Sequence, residues 1–169
     1  MKSLFKYSLL ASFLVISIKL LVYFTHAQFT QFGIYSGLFS LLLLIVPLFL
    51  AIKEKRDKEL GGFIILKEVM KVGLGISVIS GLIICAFTFL YYKFIDDEPL
   101  AQLISKTEEF MKQTKKSQSE IDIQIIALKE FYSPIRQATG VLTGVLISGL
   151  ILSFICSSFL VKNPTVSEN

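Results

Sequence analysis

Tryptophan is absent from this chain, histidine occurs once and cysteine twice in 169 residues. One histidine and two cysteines are too few for a four-ligand zinc site, and two cysteines make no disulfide framework. His26 lies in an eight-residue connection, Thr25–Phe32, with no Ser-His-Asp set or pocketed pair of carboxylates around it. No GxxxxGK[ST] phosphate cradle occurs either. Metal, cofactor and nucleotide chemistry therefore find no footing, and the expectation is a chain that is not an enzyme and takes no cofactor.

Charge is the other scarcity. Only 18% of residues are charged and 53% are hydrophobic, against about 25% and about 45–50% in soluble domains; mean hydropathy is +0.68. From Leu20 to Ile52 run 33 residues without Lys, Arg, Asp or Glu. Hydrocarbon leaves no open backbone group satisfied, and a helix crosses it in about 20 apolar residues. The expected fold is an all-α integral membrane bundle of four transmembrane helices, at about 7–24, 33–52, 72–92 and 138–161.

What charge there is lies in clumps. Seven of the eight residues from Lys53 to Leu60 are charged, and Gly61 and Gly62 follow. Glycine takes positive φ without penalty, so a sharp turn is expected there. Lys53, Lys55, Arg56, Lys58, Lys67 and Lys71 put six cations into 53–71. Short cation-rich loops stay cytoplasmic, so this is read as a cytoplasmic basic loop, with Lys2, Lys6 and Lys162 on the same side and both termini inside. The connection 25–32 has no Lys or Arg, and 93–137 mixes cations with acids. Tyr23, Phe24, Phe29, Phe32, Tyr35, Tyr91, Tyr92, Phe94, Phe131 and Tyr132 gather at the proposed outer ends, where a tyrosine ring stays apolar and its hydroxyl wet. The six loop cations are candidates for docking membrane lipid or a partner; Lys67 and Lys71 share one helix face, and Ile65, Val69 and Val72 another. The first span, with Lys2 and Lys6 before it and "THA" after it, has a rival reading as a cleavable signal peptide, opposed by its length and by Lys19.

Lys19 is the one charge inside a span. At about 1.5 Å per residue it lies some 20 Å beyond Lys6, in the outer third of the hydrocarbon, where a lysine can snorkel. Asp96, Asp97 and Glu98 are its candidate partners; a polar cavity lined by Lys19, Ser77 and Ser80 would instead signal a transport path.

Small residues recur every four positions: Gly73, Ser77, Gly81 and Cys85 in span three, and Gly140, Gly144 and Ser148 in span four. Such ladders let two helix backbones approach closely, so spans three and four are expected to pair through them. Gly33 and Gly37 offer a third surface. Cys85 and Cys156 fall about 20 Å and 8 Å from the inner edge by helical rise, too far apart in depth for a disulfide.

Segment 93–137 reads as an extracytoplasmic amphipathic helical hairpin. Leu100, Leu103, Ile104, Phe110 and Met111 form one stripe, and Ile121, Ile125, Leu128 and Tyr132 a second, ended by Pro134. Ser117 and Glu120 have the spacing of a capping box, which favours helix over the strand that the alternating Ile121, Ile123 and Ile125 would suit.

Through Arg56-Asp57-Lys58-Glu59-Leu60-Gly61-Gly62, Lys67, Lys71-Val72-Gly73, and Tyr91, Tyr92, Phe94, Ile95 and Asp96, the chain resembles a bacterial family of small four-span membrane proteins known only as a domain of unknown function. The resemblance implies four helices with a helical outer loop, and no activity; it also associates the chain with gene neighbourhoods holding a polyprenyl-phosphate sugar transferase. The expected role is a non-catalytic accessory or scaffold subunit in the bacterial inner membrane, acting through helix packing and the outer hairpin on a membrane or periplasmic protein partner. The alternative is a small transporter or a factor handling a polyprenyl-linked sugar lipid. The net charge of +4 is absorbed by membrane topology, and nothing calls for nucleic acid.

Overall fold

The computed structural model describes residues 2–28, 30–95 and 98–162, with backbone alone at 98 and 99. Among the described residues all regular structure is helical: α1 (Lys2–Phe24), α2 (Gln31–Leu43), α3 (Ile45–Glu54), α4 (Leu66–Phe94), α5 (Glu98–Gln113), α6 (Gln118–Phe131) and α7 (Pro134–Leu160). Four stretches are long and apolar enough to cross a membrane: Lys2–Phe24, Gln31–Glu59, Leu66–Phe94 and Pro134–Leu160. The chain is an all-α, multi-pass membrane protein in architecture.

Contacts divide it into two units, one drawn from the chain up to Ile84 and from Leu142 onward, the other spanning Cys85–Val141. In the first unit α1 packs on α2 and α3. Its interior is built from Ala11, Leu48, Ile52, Val69, Ile76 and Val145, while Phe13, Ile34, Leu38 and Phe154 stay exposed as lipid-facing side chains do.

The second span, expected over 33–52, runs through Gln31–Glu59 with one interruption. It breaks at Leu44, whose N–H turns back to the carbonyls of Leu41 and Leu42. Pro47 explains the break, because its ring has no N–H for the carbonyl four residues back, that of Leu43, and would collide with it. Helix α2 starts where Thr30 accepts a hydrogen bond from the Gly33 N–H at 3.2 Å. Gly33 serves that turn, since a methyl group on it would overlap the Ala27 carbonyl, and Gly37 has nothing beside it. Neither forms the expected third packing surface.

The charged stretch is also less of a loop than expected. Helix α3 passes into one wide π-helical turn, Lys55–Glu59, closed by the Leu60 N–H to Lys55 O at 3.1 Å. Gly61 and Gly62 then take φ of +63° and +91°, the left-handed turn that glycine permits. Helix α4 begins at Leu66, so Lys67 and Lys71 share one helix as expected. Before it, Ile64 pairs with Lys162 through two backbone hydrogen bonds of 3.1 and 3.0 Å.

In the second unit α5 packs on α6, around Ile121, which is 1% exposed. The capping box is present: Ser117 Oγ accepts from the Glu120 N–H at 3.3 Å, and the Ser117 N–H donates to Glu120 Oε2 at 2.9 Å. It starts α6 as a helix, so the Ile121-Ile123-Ile125 alternation makes no strand.

Candidate functional site

Two arrangements of side chains in the first unit invite a functional reading: a charged cluster where α1, α3 and α4 meet the turn at Gly61, and a hydroxyl-lined seam between helices. The cluster is organised by carboxylates. Glu54, the last residue of α3, accepts from Tyr7 Oη at 2.5 Å and lies 3.6 Å from Lys6 Nζ and 3.4 Å from Lys58 Nζ. Tyr7 is buried, so its hydroxyl needs the acceptor that Glu54 supplies. Glu68, in the first turn of α4, binds Lys55 Nζ at 2.8 Å across the glycine turn. Arg56 pairs with its neighbour Asp57 at 2.7 Å. The structure thus splits the six loop cations. Lys55, Arg56 and Lys58 are spent on carboxylates, while Lys53, Lys67 and Lys71 are exposed and make no ion pair among the described residues. Of the apolar face expected beside Lys67 and Lys71, Val69 and Val72 are buried and Ile65 is exposed.

The seam is made of serines. Ser8, Ser12, Ser77, Ser80 and Ser153 are all buried. Each hydroxyl donates to the carbonyl one turn back in its own helix, at 2.6–2.9 Å. Ser8 and Ser12 also reach the carbonyls of Ile76 and Ser80 on α4, at 3.5 and 3.4 Å. A hydroxyl satisfied by its own helix can enter a helix contact in lipid without leaving a polar group open.

Between α4 and α7 these hydroxyls seat on glycines reciprocally. A methyl group on Gly73 would overlap Ser153 Oγ, and one on Gly149 would overlap Ser77 Oγ. Farther along, a methyl group on Gly81 would come within 2.9 Å of Leu142 Cδ1. Gly73, Ser77 and Gly81 therefore do face α7, but the α7 side differs from expectation. It consists of Leu142, Val145, Gly149 and Ser153, not of Gly140, Gly144 and Ser148. Gly144 looks toward α2, with Leu41 Cδ1 at 3.9 Å, and Gly140 is exposed with nothing beside it; Ser148 is half-buried.

Lys19 is half-buried on α1. Its expected partners Asp96 and Asp97 lie outside the described residues, as do the Glu98 side chain and the interfacial Phe29. Ser77 and Ser80 are buried, and each hydroxyl donates to a carbonyl of its own helix. Cys85 and Cys156 are free thiols. In the hairpin Ile123 and Ile126 are 65% and 64% exposed on the side of α6 opposite Ile121, and Phe110 on α5 is 65% exposed as well.

A family model described as "Protein of unknown function (DUF4199)" matches residues 6–162. The chain belongs to this family. No curated protein matches it, and no solved structure does. The family description names no activity, so the residues to weigh in this member are those its own geometry singles out. Sequence reasoning passed over three of them. Glu54 was signalled by its spacing of four from Lys58, which pairs charges on a helix. Glu68 meets Lys55 only because the glycine turn folds α4 back, and nothing local announces that. Gly149 shares a four-residue spacing with Val145 and Ser153, a ladder as regular as the one beside it.

Proposed function

We propose that this DUF4199 protein is a non-catalytic accessory or scaffold subunit of a bacterial cytoplasmic-membrane assembly, with both termini in the cytoplasm and the α5–α6 hairpin outside. The carrying observation is the use of polar groups within the spans: the seam serines sit against glycines and helix carbonyls, which suits a body built to hold helices together. The hairpin supplies the partner surface, since Ile123 and Ile126 stand uncovered on α6 beside a helix already packed on its other face.

Orientation rests on cation density. Lys2, Lys6, the 53–71 cations and Lys162 belong to one end, tied together by Lys6–Glu54 and by the Ile64–Lys162 bridge; such an end is retained inside. A periplasm-dependent reporter fused after Asn169 should be inactive and one inserted at Gln113 active, and the reverse pattern would sink this orientation.

The role itself is tested by purifying the tagged full chain in mild detergent with whatever membrane or periplasmic protein accompanies it. An Ile123→Gln/Ile126→Gln variant should lose that protein while melting at the wild-type temperature. Absence of any stoichiometric partner, together with a growth defect from Lys19→Leu at normal abundance, would favour the transporter or lipid-linked-sugar reading instead.

A further inference from the structure

Lys67 and Lys71 lie one helical turn apart on α4, and the same exposed stripe continues through Leu74, Val78 and Leu82 at spacings of three and four. Those apolar residues are the lipid-facing side of the span, and Lys71 is its last charge before the long uncharged run. Helix α3 repeats the pattern, with exposed Lys53 heading the exposed Leu50 and Val46. A cation at the head of an acyl-chain track is the complement of a phospholipid: phosphate on the ammonium, tail along the stripe.

The acid between them decides whether the lysines are available. Glu68 sits between Lys67 and Lys71 in sequence and would compete for both, but its carboxylate is bound by Lys55 at 2.8 Å. The geometry points to a headgroup site for anionic phospholipid on the exposed face at the start of α4, in which Lys67 and Lys71 hold the phosphate and Lys55 keeps Glu68 away from it. Lys53 forms a second, single-lysine contact on α3. Lys55 ties α4 to the turn before it, while Arg56 and Lys58 are paired with the nearby carboxylates of Asp57 and Glu54.

The test uses the full chain in mild detergent, offered equal amounts of phosphatidylglycerol and phosphatidylcholine with matched acyl chains, and retained lipid is counted by native mass spectrometry. The wild type should retain phosphatidylglycerol preferentially. Lys67→Gln/Lys71→Gln should cut that preference by about fivefold for each lysine, the ratio matching roughly 1 kcal/mol per cation near a surface. Lys55→Gln alone should also lower it, by freeing Glu68, and Lys55→Gln/Glu68→Gln should restore it at unchanged net charge. Retained preference in Lys67→Gln/Lys71→Gln, failure of the Glu68→Gln rescue, or displacement of the lipid by excess inorganic phosphate would each overturn the assignment. If Lys67→Gln/Lys71→Gln is not recovered folded, the Lys55→Gln and Lys55→Gln/Glu68→Gln pair decides by the same readout.

Discussion

The α4–α7 contact in the first unit and the α5–α6 hairpin in the second are both helix pairs, yet they are held by opposite means. Lipid is as apolar as leucine, so the α4–α7 pair gains little from hiding apolar surface and depends on backbones lying close; hence glycine under serine at Gly73–Ser153 and Gly149–Ser77. The hairpin instead buries Ile121, a step that water itself drives, and keeps its polar groups exposed in pairs such as Lys112–Glu108 and Lys116–Glu120. One pair is made by absence of side chain, the other by its presence.

The comparison breaks most readily at Gly149. Gly149→Leu should insert normally and lose about 3 kcal/mol in detergent, the upper part of the range for overpacking, whereas Gly140→Leu should cost little. Gly149→Ser alone should also destabilise, and adding Ser77→Gly should recover much of that loss; equal melting of Gly149→Leu and wild type would show that this face meets lipid. In the hairpin the effect has the other sign of volume. Ile121→Ala should lose about 2 kcal/mol through the cavity it leaves, read as earlier proteolysis within 98–131, while Ile123→Ala should change nothing.

Tyr7→Phe comes next, at about 1 kcal/mol for a hydrogen bond whose carboxylate partner keeps its lysines. A melting temperature unchanged by Tyr7→Phe would mean that Glu54 organises the cluster through Lys6 and Lys58 alone. Smallest is an acid effect confined to α6. The Ser117 N–H, with Lys116 and the Ser117 hydroxyl, pulls Glu120 down to about 2. A lowered carboxylate stabilises fully above its unfolded value near 4.5 and ceases to as pH falls toward 2. Amide exchange at the start of α6 should quicken across that window in the wild type and show no such step in Glu120→Gln.

The same contrast explains what was legible in the amino-acid order. The hairpin's cap and the buried Ile121 could be read directly from spacing, although Phe110, placed on the companion apolar stripe, stands 65% exposed. In the spans every face is apolar, so 140/144/148 and 145/149/153 are equally good ladders, and only the rotation of α7 against α4 selects Gly149. The interruption at Leu44 was written in Pro47, three residues on. The Lys55–Glu68 pair was not readable, because two residues thirteen apart meet only through the turn between them.

The short backbone bridge between Ile64 and Lys162 sets an order of events during synthesis. The Ile64 N–H and C=O face their partner only after the last span has been made, a wait of roughly 5–20 s at about 5–20 residues per second. Until then the turn ahead of α4 must find its hydrogen bonds in water or headgroups, so span three enters the bilayer with its hinge still open. Lys162, two residues past the end of α7, acts as a latch on work done much earlier. A chain cut after Leu160 should retain its helices but exchange the Ile64 amide hydrogen freely.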